Sequence, residues 1–287
     1  MVESQIDRKN SEITLTIRIP SEKIKETFSR VKQEALKEVN LPGFRPGKAP
    51  PDLAEKQLNE DALSQSLFQE IFPLAYTEAI SQHNIRPIIP PQVTVKSFKK
   101  DEDLVFEART TEAPQVELGS YTNNLKGLKG KVIYGPEGKP LGKEEKITAA
   151  QVLEKLRETV RIDIPHILID YEVQRMLSSL VDQVNSLGLT VEQYLSSQGK
   201  KAEELQKEYH EIAERNLKDE FILSQIAKDA NITVSEKEIE DTISAAPDEK
   251  TRVGLREKRG RTYLEDILKK RKTIEYLLKI AEGSKTT

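Results

Sequence analysis

Cysteine and tryptophan are absent from these 287 residues, and only 5 % are aromatic. Without Cys there is no disulfide, no thiolate nucleophile and no Cys-ligated zinc or iron–sulfur site. The sparse aromatics leave the core to Leu, Ile, Val and Ala. No apolar run approaches the ~18 residues of a membrane span. The opening MVESQIDRKN has no apolar stretch of the secretory kind. The chain therefore reads as soluble and cytosolic, without a membrane partner.

Catalytic signatures are equally scarce. The three histidines, His83, His166 and His210, are far apart and form no H-x-x-x-H or H-E-x-x-H pattern. His166 has Asp163 and Asp170 close by, and reads as a solvated first-turn histidine beside helix-start carboxylates. Gly142-Lys143-Glu144 lacks the preceding Gly and following Ser or Thr of a phosphate loop. Acidic pairs such as Glu144-Glu145 and Glu203-Glu204 sit on polar faces. With no nucleophile–base pair and no cofactor fingerprint, the expectation is a protein without enzymatic activity, cofactor or metal.

What is there is charge, at 32 % of residues, with a net of −3 and mean hydropathy of −0.58. It is unevenly placed: from Lys250 onward 12 Lys and Arg face 5 Asp and Glu. Such an end fits ribosomal RNA or an acidic surface, and equally the wet face of a helix.

The stretch that organises the chain is Gly43-Phe44-Arg45-Pro46-Gly47-Lys48-Ala49-Pro50. Two glycines and two fixed prolines make a stiff, shaped loop without an acid. Phe44 and Arg45 stand where a plain connector carries Ser, Asn or Asp, and they are residue types that anchor interfaces. The same composition also fits a helix-hairpin turn with Phe44 folded onto the core.

Around this loop the pattern is α+β. Ile13, Leu15, Ile17 and Ile19 alternate as a half-buried strand. Ser21 can cap a helix with the stripe Ile24, Phe28, Val31, Ala35 and Val39. A second helix is expected from Pro51 through Ile80, kinked or broken at Pro73. Val93–Phe98 and Leu104–Thr110 form a hairpin. An antiparallel sheet with a helix hairpin is thus expected over 1–112. The Gly-, Lys- and Pro-rich stretch 113–146, with Val132, Ile133 and Tyr134 at its centre, reads as a linker or small irregular hairpin. From 147 to 287 all is helical, with capping boxes at Thr148/Gln151, Thr190/Gln193 and Ser235/Glu238. Pro165 opens one long helix and Gly188 ends it, a short helix stops at Gly199, and a long one covers Ala202–Ala230. A final pair is separated by a break at Gly260.

Gly43, Phe44, Arg45, Gly47 and Pro50 match the pattern Gly-Phe-Arg-x-Gly-x-x-Pro, which resembles the ribosome-docking signature of the bacterial trigger factor family. Pro46 stands where many members carry Lys, one positive charge fewer. The second half resembles the same family through Ile164-Pro165, Val191-Glu192-Gln193-Tyr194-Leu195, Ala213-Glu214-Arg215, and Ile226-Ala227 ahead of Ile232-Thr233-Val234-Ser235. That half is also SurA-like. The FKBP-like prolyl isomerase domain usual in the middle has no room here: Tyr121 and Ile147 are about 25 residues apart, below the ~50 of a domain.

The resemblance implies an ATP-independent chaperone docked at the exit of the large ribosomal subunit. Gly43, Phe44, Arg45, Pro46, Gly47, Lys48 and Pro50 would form the dock, and nascent and unfolded polypeptides would be clients. It also allows a weak homodimer off the ribosome. Client contacts are expected among Met176, Leu180, Leu187, Tyr194, Leu195 and Tyr209, a set in which sequence does not separate exposed residues from core ones. A ribosome-independent holdase or assembly chaperone, and a peptidyl-prolyl isomerase, are the competing readings.

Overall fold

The structure, a computed structural model, describes residues 2–39, 41–42, 44, 50–98, 102–128 and 146–283, with only the backbone at Pro51 and Asp52. The chain divides into two compact units, 1–113 and 114–287. The first begins with β1 (Glu3–Lys9) and β2 (Glu12–Ile19), followed by α1 (Ser21–Glu38), α2 (Pro51–Glu55) and α3 (Glu60–Gln82). It closes with β3 (Gln92–Ser97) and β4 (Leu104–Thr111). The four strands form one antiparallel sheet in the order β1-β2-β4-β3.

Period-2 patterning sets its register. Ile13, Leu15, Ile17 and Ile19 point to one face and are at most 1 % exposed. They stand opposite Thr110, Ala108, Phe106 and Leu104 of β4. Slipping either strand by one residue would turn the whole apolar set outward. On this face α3 lays Leu67, Ile71, Ala75 and Ala79. Phe72 makes an edge contact with Phe106, ring centroids 5.4 Å apart, and Phe68 stacks on Phe72 at 5.5 Å. Glu112 ties the end of the unit together: it accepts from the Arg8 guanidinium at 2.9 Å and from the Arg86 backbone N–H at 2.7 Å.

Three features differ from the sequence expectation. β1 has no strand signal of its own, because Ile6 is its one apolar side chain and the strand lies at the sheet edge. The helical segment expected from Pro51 through Ile80 is two helices, divided ahead of Glu60 and not at Pro73, since Asn59 accepts from the N–H groups of Asp61 and Ala62 and starts α3 afresh. Pro73 lies inside α3 without ending it. Its missing N–H costs one bond to residue 69, yet Leu67, Ile71 and Ala75 hold the helix to the sheet on both sides of it.

The second unit comprises β5 (Val116–Glu117), α4 (Tyr121–Leu125), α5 (Ala149–Thr159), β6 (Arg161–Ile162), α6 (His166–Ser186), α7 (Val191–Gln198), α8 (Ala202–Asp229), α9 (Glu236–Ser244), α10 (Glu249–Arg256) and α11 (Lys258–Ala281). Part of the stretch read as a linker thus belongs to this unit: β5 pairs with β6, and Tyr121 and Leu125 are buried in its core. Val132, Ile133 and Tyr134 lie outside the described residues.

Apolar clusters organise the described residues of the unit. Leu125, Leu156, Ile222, Ile226 and Leu277 join α4, α5, the end of α8 and the end of α11 into a body. Arg157 of α5 reaches both Asp219 oxygens of α8, at 2.7 and 2.8 Å. The Tyr121 hydroxyl donates to Asp229 at 3.2 Å, and its burial pushes the phenol up. A first lobe forms around Leu180, Val184 and Leu205 of α6 and α8. A second forms around Ile239, Ile243, Leu264 and Leu268 of α9 and α11.

All three capping boxes are present, each with both side chains bonding as the pattern requires. At the end of α6, Gly188 takes φ 72°. The Leu189 N–H donates to Val184 O and the Gly188 N–H to Asn185 O, which closes the helix in a left-handed cap. The break expected at Gly260 falls instead at Glu257, extended at φ −62°, ψ 151°, between α10 and α11. Gly260 serves a different purpose: a Cβ there would run into the Gly254 carbonyl oxygen, so it lets α10 lie directly on α11.

The second lobe carries a pH-dependent tie. The Lys272 ammonium, 2.8 Å from Glu238, and then the N–H and hydroxyl of Ser235 hold the Glu238 carboxyl down at about 2. A carboxylate depressed from its ordinary ~4.3 contributes stability that is complete above that value and lost as pH falls through the folded one. Exchange of the Ser235 amide is therefore expected to accelerate between pH about 4 and about 2. In Glu238→Gln the rate, once corrected for intrinsic exchange, should stay flat across that range; an equal pH dependence in both proteins would refute the assignment.

Candidate functional site

The organising loop is framed by how its flanking helices end. α1 stops at Val39, which is extended at φ −60°, ψ 124°. Pro50 caps α2, where the N–H groups of Leu53 and Ala54 donate to its carbonyl at 3.0 and 3.1 Å. Between them the Phe44 N–H donates to Leu41 O at 3.1 Å, a turn that carries the ring outward at 44 % exposure. Phe44 is thus not folded into the core. Gly43, Arg45, Pro46, Gly47 and Lys48 lie outside the described residues.

The stripe leading to the loop is only partly covered: Ile24 and Val31 are buried, whereas Phe28 is 36 % exposed. Leu53, just beyond Pro50, is 45 % exposed. Sequence patterning does not reveal it, because a five-residue helix shows no stripe. Ion pairs Arg30–Glu70, and Lys32–Glu55 at 3.0 Å, link α1 to α3 and α2.

The six client candidates separate in the structure. Leu180 is buried in the first lobe, and Tyr194, Leu195 and Tyr209 pack against it. Burial pushes the Tyr209 phenol up. Met176 is half-buried. Leu187 stands apart at 73 % exposure, and Leu189 beside it, absent from the sequence candidates, is 40 % exposed.

Among the described residues no group of three or more His, Asp or Glu could hold a metal ion, and no helix is long and apolar enough to cross a membrane. His83 lies 2.9 Å from the Ser4 hydroxyl. His166 and His210, distant in sequence, both approach Glu214, whose carboxyl is lowered chiefly by the Lys218 ammonium at 2.7 Å.

Residues 1–132 match the family model of the bacterial trigger factor protein, and residues 137–279 match that of its C-terminus. The chain belongs to the trigger factor family. The two matched segments are separated by 133–136 alone, which leaves no room between them for the FKBP-like domain. Trigger factors of Staphylococcus aureus strains JH9 and Newman are 36 % identical over 114 residues, a stretch covering 40 % of this chain and 26 % of theirs. The aligned part is thus about a quarter of those relatives' length. In fold, the chain is similar to a solved trigger factor chaperone described for promiscuous substrate recognition in folding and assembly. That match has a TM-score of 0.65 and 15 % identity, and covers 97 % of this chain and 99 % of the other. Within the trigger factor family, the loop of Phe44 and the helical second unit are therefore the two regions whose function is to be assigned.

Proposed function

We propose that this trigger factor is a cytoplasmic, ribosome-associated holdase that shields nascent chains without ATP and without prolyl isomerase activity. The observation that carries the proposal is the outward-facing Phe44 at the turn between α1 and α2, within a loop that holds the whole family motif. Phe44 fills an apolar pocket on a protein of the large subunit. Arg45 pairs with a carboxylate or phosphate there, and Lys48 adds attraction at longer range. Docking concentrates the protein where clients emerge, so individually weak apolar contacts in the helical unit suffice. Charges interspersed among them keep release easy.

Co-sedimentation with ribosomes tests this. An anchor residue of this kind costs at least ~2 kcal/mol on truncation, about 30-fold in affinity. Phe44→Ala/Arg45→Ala is expected to stay in the supernatant at a concentration where the parent pellets. Equal pelleting of both proteins, or of neither, would overturn the docking and favour a holdase that works off the ribosome. A prolyl-peptide isomerisation rate above background would overturn the non-enzymatic part.

A further inference from the structure

Residues 250–267 contain six cations and three acids, Glu257, Glu265 and Asp266. Two of the cations are engaged. Arg252 bonds Glu249 and the Ala246 carbonyl, each at 2.8 Å, and Arg261 bridges Glu236 and Glu240. The other four, Lys250, Arg256, Lys258 and Arg259, are exposed and have no ion pair among the described residues. Without an ion pair, these four charges add little to the stability of the fold.

Two of them, Arg256 and Arg259, lie beside exposed apolar side chains. Val253 is 51 % exposed, Tyr263 63 % and Ile267 42 %. The close approach of Gly260 to Gly254 fixes how α10 and α11 face each other. Leu255 and Leu264 turn into the lobe core. Helical geometry then places Val253 and Tyr263 on the opposite flank of the same contact. Arg259 lies one turn before Tyr263 on α11 and Ile267 one turn after it, while Arg256 lies one turn after Val253 on α10. An aromatic face with the unpaired Arg256 and Arg259 on one edge, and Asp266 one turn after Tyr263, therefore lies on the side of the lobe that its own core does not use.

We propose that this α10–α11 face binds single-stranded RNA. Arg256 and Arg259 meet phosphates, Lys250 and Lys258 add attraction at longer range, and the Tyr263 ring and its apolar neighbours take a base, which offers its face only when unpaired. An apolar client segment would find the ring but leave the cations unanswered, and a merely solvated face would not present a ring. The proposal stands apart from docking through Phe44 and uses none of its residues.

Fluorescence anisotropy of a labelled single-stranded RNA of mixed sequence, about 15 nucleotides long to span a typical single-strand site, with the full chain at low and then rising KCl, tests it. Affinity should fall with salt. Arg256→Glu/Lys258→Glu/Arg259→Glu should weaken binding at least ~30-fold and flatten the logarithmic salt slope by about 2, at ~0.7 for each phosphate no longer neutralised. Tyr263→Ala, at a site too exposed to disturb folding, should weaken it about fivefold or more, a stacking loss of at least ~1 kcal/mol per base. Tyr263→Phe should bind as the parent does, and so should Phe44→Ala. The proposal is overturned if the parent does not bind at low salt, about 50 mM KCl, or if Tyr263→Ala binds unchanged. It is also overturned if polyglutamate or anionic phospholipid vesicles displace the RNA as well as unlabelled RNA does.

Discussion

Phe106→Ala is expected to destabilise the first unit by about 3–5 kcal/mol, the usual range for removing a fully enclosed ring. Phe106 is 0 % exposed. It lies opposite Ile17 on β2 and Val95 on β3, and meets Phe72 and Phe68 at 5.4 and 6.2 Å. In a chain with only 7 Phe, few other rings can move in to fill the void. Domains of this size are stable by only about 5–15 kcal/mol, so the loss consumes a large share. Hydrogen exchange should rise over β2, β4 and α3, and ribosome pelleting should weaken although the loop itself is unchanged. Phe106→Leu, which retains most of the volume, should cost under ~2 kcal/mol. Exchange unchanged in Phe106→Ala would mean that the sheet is not held through this ring.

The residues that make the fold readable are those whose environment is local. β2 announces itself because every second side chain enters one core. The capping boxes at Thr148, Thr190 and Ser235 each close within four residues, and the structure reproduces all three. Elements held by tertiary context are not readable. β1 is secured by pairing along β2 and not by its own apolar pattern, and α10 has no fully buried residue and meets the lobe core through the half-buried Leu255. The helix through Pro73 survives because packing on the sheet outweighs a local penalty, while Asn59, an ordinary cap, is hidden inside what looks like one continuous stripe.

The candidate sites divide in the same way. That Phe44 lies in a special loop follows from Gly and Pro spacing, and its exposure follows from the turn closed on Leu41. The client candidates cannot be sorted by sequence. Leu180 and Leu187 are both leucines seven positions apart, hence on nearly the same helix face, and only the presence of α8 beside one and the helix end beside the other separates them.

That separation gives a second result of large expected size. Leu187→Ser/Leu189→Ser should keep the thermal midpoint of the parent, because surface changes of this kind stay within ~0.5 kcal/mol. Ser retains the Leu189 N–H that donates to Val184 O in the helix cap. Protection of an aggregating client should nevertheless fall by about tenfold or more, since each leucine buried against a client contributes about 1.5–3 kcal/mol when fully covered. Leu180→Ala should do the opposite: it opens a void beside Val184 and Leu205, costs about 2–5 kcal/mol of stability, and changes client protection only where the lobe begins to unfold. Crossing the two variants in one aggregation assay, with melting measured alongside, therefore distinguishes a surface that holds clients from a core that holds the surface. If Leu187→Ser/Leu189→Ser protects as well as the parent at equal stability, the client contact lies away from the α6–α7 turn. If both variants lose stability and protection together, Leu187 belongs to the lobe's packing in solution despite its 73 % exposure.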